Sequence, residues 1–336
     1  MRDYMKKNFI LFLIGLLSIG SLQAQVIKSE WENAKWISSE ESYTTFPLYD
    51  NLVMMCGSGF FDAGYGKIVS VNRENEYFSE LKVVPMDAVN LDRVPQELRD
   101  MLLNFSWSDP DEDVWERENV DGKDLLVWYR NDEILSIYCR YEGETDGSPL
   151  MDVTSKAVQN MICGNYTSAN GKKFSFNENG SCIFNGIRTT YKFMRNNDAP
   201  NNVIELANGK LYRLNVTTEG LNILNVTASE DEFDGFSNGS LFAKVSASKE
   251  KPRFAFLQDK PLQVSVSAIS DEAVEVYRLM RNELYAIHGY VFSNAKLKEY
   301  FQSCPWYEAA DSNDHVHLSK MQMMNVSYIK HQEKNN

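Results

Sequence analysis

Residues 164–193 read GNYTSANGKKFSFNENGSCIFNGIRTTYKF. Asn170-Gly171 and Asn179-Gly180 fall between segments in which apolar and polar residues alternate. Asn-Gly accepts the positive φ angles that two-residue hairpin turns demand. Residues 202–226, NVIELANGKLYRLNVTTEGLNILNV, repeat the pattern around Asn208-Gly209 and Glu219-Gly220. The stretch 161–246 therefore predicts seven or eight short antiparallel strands in meander order, a small β-barrel or a strongly twisted sheet. Such a barrel either holds an apolar ligand or is filled by its own side chains, and the filled form is the expectation.

The same turns bear on the cysteines. Cys163 falls on the first strand and Cys182 on the third, with a whole strand between them, about 10 Å at the usual strand spacing. A disulfide does not reach that far, so the two are expected not to pair. The opening Gly164-Asn165-Tyr166 resembles the Gly-x-Trp that begins lipocalin-like barrels, which implies a lipocalin-like β domain.

N-terminal to this region, residues 26–150 carry NLVMMC, KIVSV, ELKVVPM, DLLVWYR and ILSIYCR, all of strand composition. The last two are joined by a hairpin signal, Asn131-Asp132-Glu133. Between ELKVVPM and DLLVWYR, VPQELRDMLLNF (94–105) places Leu98, Leu102 and Phe105 at helical spacing behind Pro95. The segment is expected to be an α+β domain. SDPDEDVWE (108–116) spaces Asp109, Asp111 and Asp113 as an EF-hand loop does. It has Val114 where the loop needs Gly and Val120 where it needs a bidentate Glu, so a solvated acidic loop is expected. Residues 151–160 read as a helical linker and 247–269, with Pro252 and Pro261, as a connector.

The ends and the composition set the compartment. Residues 1–24 combine Arg2, Lys6 and Lys7 with the apolar run ILFLIGLLSIG and a small residue, Ala24, and are expected to be a secretory signal peptide. The run is too short to span a bilayer, so the protein is expected to be exported, to the periplasm or beyond, and not membrane-spanning. The net charge is −13, and losing three basic and one acidic residue with the leader makes the remainder more acidic still. Such a chain repels phosphate backbones, so nucleic acid is excluded as a partner class. Five cysteines leave at least one unpaired.

The last segment, 270–332, reads as a small helical domain. Ser270 suits an N-cap, with Asp271 and Glu272 in the first turn. Ala273, Val276, Tyr277, Met280, Leu284 and Ile287 form an apolar face. Tyr277, Arg281, Tyr285 and His288 lie along its flank, and Gly289 takes the position where a left-handed residue ends a helix. His288 is expected to meet the orphan carbonyls of that last turn, and Arg281 with the tyrosines to pin the helix against Trp306. Asn294 caps a second helix, AKLKEYF. Leu318-Ser319-x-x-Gln322-Met323 reads as a capping box with a hydrophobic staple opening a third. With caps, staple and aromatic core all internal, this domain is expected to fold alone.

LMRNELYAIHGYVF, LKEYF, WY and LSKMQMMNVSYI together resemble the YARHG domain over about residues 270–332. The family's name motif has Arg before the His, where this chain has Ile287. The resemblance implies an envelope or extracellular module without catalytic activity, its motif flank (Tyr277, Arg281, Tyr285, His288 and Trp306) being the candidate binding residues. Two competing chemistries, a metal site from His288, His315 and His317 with Asp311 or Asp314, and a Cys304–His288 nucleophilic pair, have no supporting motif. The whole is thus expected to be an α+β multidomain protein with a non-enzymatic binding role. It needs no cofactor, and its partner is an envelope protein or a cell-wall polymer. A small-ligand protein using the 161–246 barrel is the alternative, and an exported hydrolase the second.

Overall fold

The computed structural model describes residues 34–38, 42–47, 52–57, 63–72, 78–83, 90–94, 96, 113–141, 149–194, 202–228 and 236–335. The leader expected at 1–24 lies outside them. In the N-terminal half, strands β1 (Ala34–Ile37), β2 (Ser42–Pro47), β3 (Leu52–Gly57), β4 (Ala63–Asn72), β5 (Phe78–Val83), β6 (Asp113–Val120), β7 (Lys123–Arg130) and β8 (Glu133–Arg140) pair in sequence order. β1 closes on β8 through Trp36 opposite Arg140 and Ile37 opposite Cys139, making a barrel. Two-residue turns at Asp121-Gly122 and Asn131-Asp132, all four residues at positive φ, set the last two hairpins.

The five segments read as strands are strands where they are described (Asn51 and residues 84–86 lie outside the described residues), and three more, β1, β2 and β6, complete the barrel. The helix expected at 94–105 lies outside the described residues apart from Val94 and Gln96. The acidic stretch is corrected in part, because Asp113–Glu116 belong to β6 rather than to a loop. Polar residues inside this strand mask its alternation. Arg117 is buried and held in a two-pronged bond by Asp124, at 2.9 and 2.6 Å. Trp115 stacks on Trp128 with ring centroids 5.2 Å apart.

The second half opens with α1 (Pro149–Ile162), longer than the linker expected at 151–160 and buried along Ala157, Val158, Met161 and Ile162. Strands β9 (Gly164–Ser168), β10 (Lys173–Phe176), β11 (Ser181–Phe184), β12 (Ile187–Phe193), β13 (Val203–Leu206), β14 (Leu211–Val216), β15 (Gly220–Ala228) and β16 (Phe236–Ala247) then form a second closed barrel in meander order. β16 returns to β9 with Val245 opposite Ser168. A further Asn-Gly pair, Asn185-Gly186 at φ 52° and 84°, makes the β11–β12 turn. The interior is filled: Phe174, Phe176, Phe184 and Tyr191 are buried and meet edge-on at centroid distances of 5.2–6.5 Å. β10 separates Cys163, which immediately precedes β9, from Cys182 on β11, and both are free thiols, as are Cys139 and Cys304.

The segment 247–269 is not a loose connector. Two 3-10 turns, Ala255–Gln258 and Val266–Ala268, bury Phe254, Leu257, Leu262, Val264, Val266 and Ile269 in the core shared with three helices. These are α2 (Ala273–Ala286), α3 (Ala295–Gln302) and α4 (Lys320–Asn335). Asn325 on α4, wholly buried, fastens the segment with three bonds. Its amide donates to the carbonyls of Leu257 and Lys260 and its oxygen accepts from Leu262 N–H, at 2.8–2.9 Å. The helical domain is therefore continuous with 247–269, which corrects the boundary expected at 270.

The helix ends follow the sequence with two changes. Asn294 caps α3 by accepting from Leu297 N–H, and Ser319 with Gln322 forms the reciprocal capping box of α4. Gly289 at φ 77° ends α2 in a Schellman motif, Tyr290 N–H reaching Tyr285 O and Gly289 N–H reaching Ala286 O. Ser270 does not cap α2. Its hydroxyl takes Glu272 N–H ahead of the helix, which starts at Ala273. Met323 is 54 % exposed, so the staple expected against Leu318 is absent.

Candidate functional site

The α2 motif serves four separate attachments. Tyr277, fully buried, accepts from Val266 N–H at 2.8 Å. Arg281 forms a two-pronged pair with Glu333 at the end of α4, both bonds 2.9 Å. Tyr285 packs on Tyr290, centroids 5.5 Å apart. His288 is 2.9 Å from Gln322 Oε1, an atom that already accepts Ser319 N–H, so the imidazole is the donor through Nε2. It thus joins the cap of α4 instead of meeting the carbonyls of its own helix. Trp306 packs on Phe301 at 6.0 Å and is not the surface against which Arg281 and the tyrosines act.

Trp306 instead shares the lining of a small cavity with a buried carboxyl. Glu283, between Asn282 and Leu284 on α2, is 1 % exposed. Its carboxyl accepts Phe254 N–H at 2.5 Å. Burial pushes its pKa up to about 7, against the opposing pull of that bond and of the neighbouring Arg253. Glu283, Arg253, Lys249, Tyr300, Cys304 and Trp306 line a cavity of only about 40 Å³ between the helices and the second barrel. Arg253 donates from Nη1 and Nη2 to the carbonyls of Thr217, Thr218 and Gly220 in the β14–β15 turn, and Glu272 accepts from Thr218 N–H and Oγ1. The spacing held the signal: Glu283 is three residues after Met280 and seven after Val276, on the buried face of α2.

Cys304 Sγ donates to Tyr300 O and burial raises its pKa, which disfavours the thiolate. His288 bonds Gln322, so Cys304 and His288 take different partners. His315 and His317 are exposed, and among the described residues no group of three or more His, Cys, Asp or Glu side chains is placed to hold a metal ion.

Open space lies at both ends of the second barrel. At the end nearest α1, a cleft of about 540 Å³ runs between the barrel and residues 250–256. Tyr166, Phe176 and Phe256 give it aromatic surface, and Asn165, Asn177, Glu178, Lys251 and Arg253 line it with amide and charged groups. At the opposite, turn-bearing end, two depressions of about 460 and 470 Å³ meet at Lys210, Tyr212 and Phe242.

Two closed barrels joined to a three-helix module by polar side chains define a modular, multi-barrel protein, with open surfaces, among the described residues, at the ends of the second barrel. The family model that matches is that of the YARHG domain, over residues 263–334, about a fifth of the chain. The match begins inside the segment that Asn325 and Tyr277 tie to the helices. No curated protein and no solved structure matches the chain. Among the described residues no helix is long and apolar enough to cross a membrane.

Proposed function

We propose that this is an exported, non-enzymatic binding protein of the bacterial cell envelope, whose partner is a cell-wall polymer or another envelope protein. The observation that carries this reading is the 540 Å³ cleft at the α1 end of the second barrel. Its volume is within the roughly 300–1,000 Å³ of ligand sites. Aromatic faces beside amides and charges of both signs suit a hydroxyl- and amide-rich polymer. The YARHG motif residues supply the framework: they hold the helices to one another and to 247–269. Co-sedimentation of the mature protein with purified cell wall, beside a pull-down from envelope extract, tests the reading. Binding that Lys251→Glu, at an exposed residue, weakens without lowering the melting temperature supports it. Failure of both wall and extract to retain the wild-type protein would overturn it. A second reading, a small-ligand protein using this barrel, is favoured by the depressions at its turn-bearing end.

A further inference from the structure

One wall of the 540 Å³ cleft is the strap 250–256, which supplies Glu250, Lys251, Pro252, Arg253, Ala255 and Phe256 to its lining. Three attachments fix the strap. Just before it, Ser248 N–H donates to Asn165 O on β9 at 2.7 Å. Within it, Arg253 holds the carbonyls of Thr217, Thr218 and Gly220. From the helical module, the Glu283 carboxyl accepts Phe254 N–H, and Arg253 N–H is a second backbone donor toward it. The helix α2 thus reaches the wall of the cleft through one acidic side chain.

That side chain is poorly placed to carry a charge. It is almost wholly buried, and no Lys, Arg or His among the described residues forms an ion pair with it. The titratable and charged groups that share its cavity are Glu219 from the β14–β15 turn, Lys249, Lys251 and Arg253 from the segment after β16, Tyr300 from α3 and Cys304 just beyond it. Glu219, Lys249 and Lys251 are exposed, so solvent screens them. Arg253 is engaged by the three carbonyls. Burial raises the pKa of Tyr300 and of Cys304, and both stay neutral near pH 7. An ionised Glu283 is therefore a buried charge without an ionic partner, which is costly, whereas the neutral acid still accepts from Phe254. Burial carries the carboxyl from 4.5 to about 7, and freeing the strap would let water reach it and restore the ordinary value. The closed strap is thus fully favoured below pH 4.5, loses stability as pH rises toward 7 and levels off above it.

We propose that a proton on Glu283 latches this wall of the cleft: with the carboxyl neutral the strap 250–256 stays closed on the second barrel, and with it ionised the strap opens more often and the cleft holds its ligand less well. The latch rests on the cell-wall-binding reading of the cleft and adds its regulation. It also gives the YARHG helices a part in binding without a residue of theirs touching the ligand.

Hydrogen exchange of the full mature chain at pH 5.5 and 7.5, read by mass spectrometry, tests the latch. The reporting peptide is 253–260, in which Phe254 N–H is bonded to the carboxyl itself and Leu257, Asp259 and Lys260 N–H to carbonyls of the adjoining turn. A peptide covering 173–184 of the second barrel is the internal reference. Corrected for intrinsic exchange rates, protection of 253–260 should fall about 10- to 20-fold from pH 5.5 to 7.5 while the reference holds, and Glu283→Gln should abolish the fall. Co-sedimentation with purified cell wall at the same two pH values should retain the wild type less well at 7.5 and Glu283→Gln equally at both. Unchanged protection of 253–260, a parallel fall in the reference, or the same fall in Glu283→Gln overturns the latch. So does a switch in exchange with wild-type retention equal at the two pH values, which leaves the binding reading intact. If exchange switches as expected and the cell wall retains neither protein at either pH, the latch stands and the cell-wall reading falls. Should Glu283→Gln not fold, the wild-type peptide against its reference still decides.

Discussion

Replacing Glu283 by Gln isolates the buried carboxyl at the junction of the helices with the second barrel. The carboxyl is 1 % exposed, and burial carries its pKa from 4.5 to about 7. The ionisable groups lining the cavity with it are Arg253, Lys249, Lys251, Glu219, Tyr300 and Cys304, and Arg253 is already engaged by three backbone carbonyls. Below pH 4.5 the group is protonated in folded and unfolded chain alike. Between 4.5 and about 7 the unfolded chain gives up its proton first, so the folded state loses stability as pH rises, and the loss levels off above the folded pKa. The shift corresponds to about 3 kcal/mol.

Glu283→Gln keeps a carbonyl oxygen for Phe254 N–H and removes the ionisation. Thermal melts of wild type and variant in matched buffers from pH 5 to 8.5 should therefore diverge. The two should be close at pH 5, and the variant more stable above pH 7 by up to about 3 kcal/mol, roughly 5–10 °C for a unit of this size. Taking the difference cancels every other titrating group common to both proteins. Parallel profiles across the range would refute the reasoning. A wild type that gains stability on the variant as pH rises would mean that Arg253 and the backbone donors outweigh burial.

Gly289→Ala should lower stability by about 1–3 kcal/mol, because φ is 77° and the new Cβ would stand 3.0 Å from Glu308 O; calorimetry checks it. His288→Ala should cost about 1 kcal/mol in the same assay, and Gln322→Ala more, since it also removes the half of the α4 capping box in which Ser319 N–H is accepted; neither should alter the proposed cell-wall binding at temperatures where the domain is folded. Mass spectrometry of a non-reduced digest should find the Cys163 and Cys182 peptides unlinked, and a bridge between them would contradict the strand register. A fragment of residues 270–332 should give a coil-like circular dichroism spectrum whereas 149–335 folds, because Phe254, Leu257 and Val266 hold α2 and α4 from outside the shorter fragment; a helical 270–332 fragment would show those contacts to be dispensable.

The second barrel was legible because its turns advertise themselves. Three of the Asn-Gly pairs mark hairpins whatever the surrounding context, and Asn185-Gly186 carried the same signal unread. The caps at Asn294, Ser319 and Gly289 were equally local. What escaped the sequence was set by partners distant along the chain. β6 was obscured because Arg117 and Glu118 are buried, and each draws on a neighbour the strand cannot reveal: Asp124 across the hairpin and Lys320 on α4. Residues 247–269 resemble a linker in composition, since two prolines and a run of charges conceal how completely Asn325 and Tyr277 bind them. The candidate binding flank on α2 was correctly read as polar, but periodicity cannot say what a flank faces. Arg281 faces Glu333, 52 positions on.

The need for so many polar attachments follows from the barrels themselves. A closed barrel has no free edge strand, so neither can join another unit by extending its sheet. Whatever fixes one to the other must act through side chains. The helical module offers them on two sides. Toward the first barrel, α4 sends Lys320 to Glu118 at 3.0 Å, and His331 and Lys334 to Glu133, while Gln263 donates to Ile37 O. Toward the second, Arg253 and Glu272 grip the β14–β15 turn, and Glu283 holds the segment carrying Arg253. The first set is at least partly solvated at Glu133 and Lys334 and so contributes modestly. The second is buried around Glu283, where a missing partner is expensive. The helices should therefore stay with the second barrel when the contacts to the first are weakened, leaving the YARHG module and the barrel with the open ends as the cohesive part of the protein.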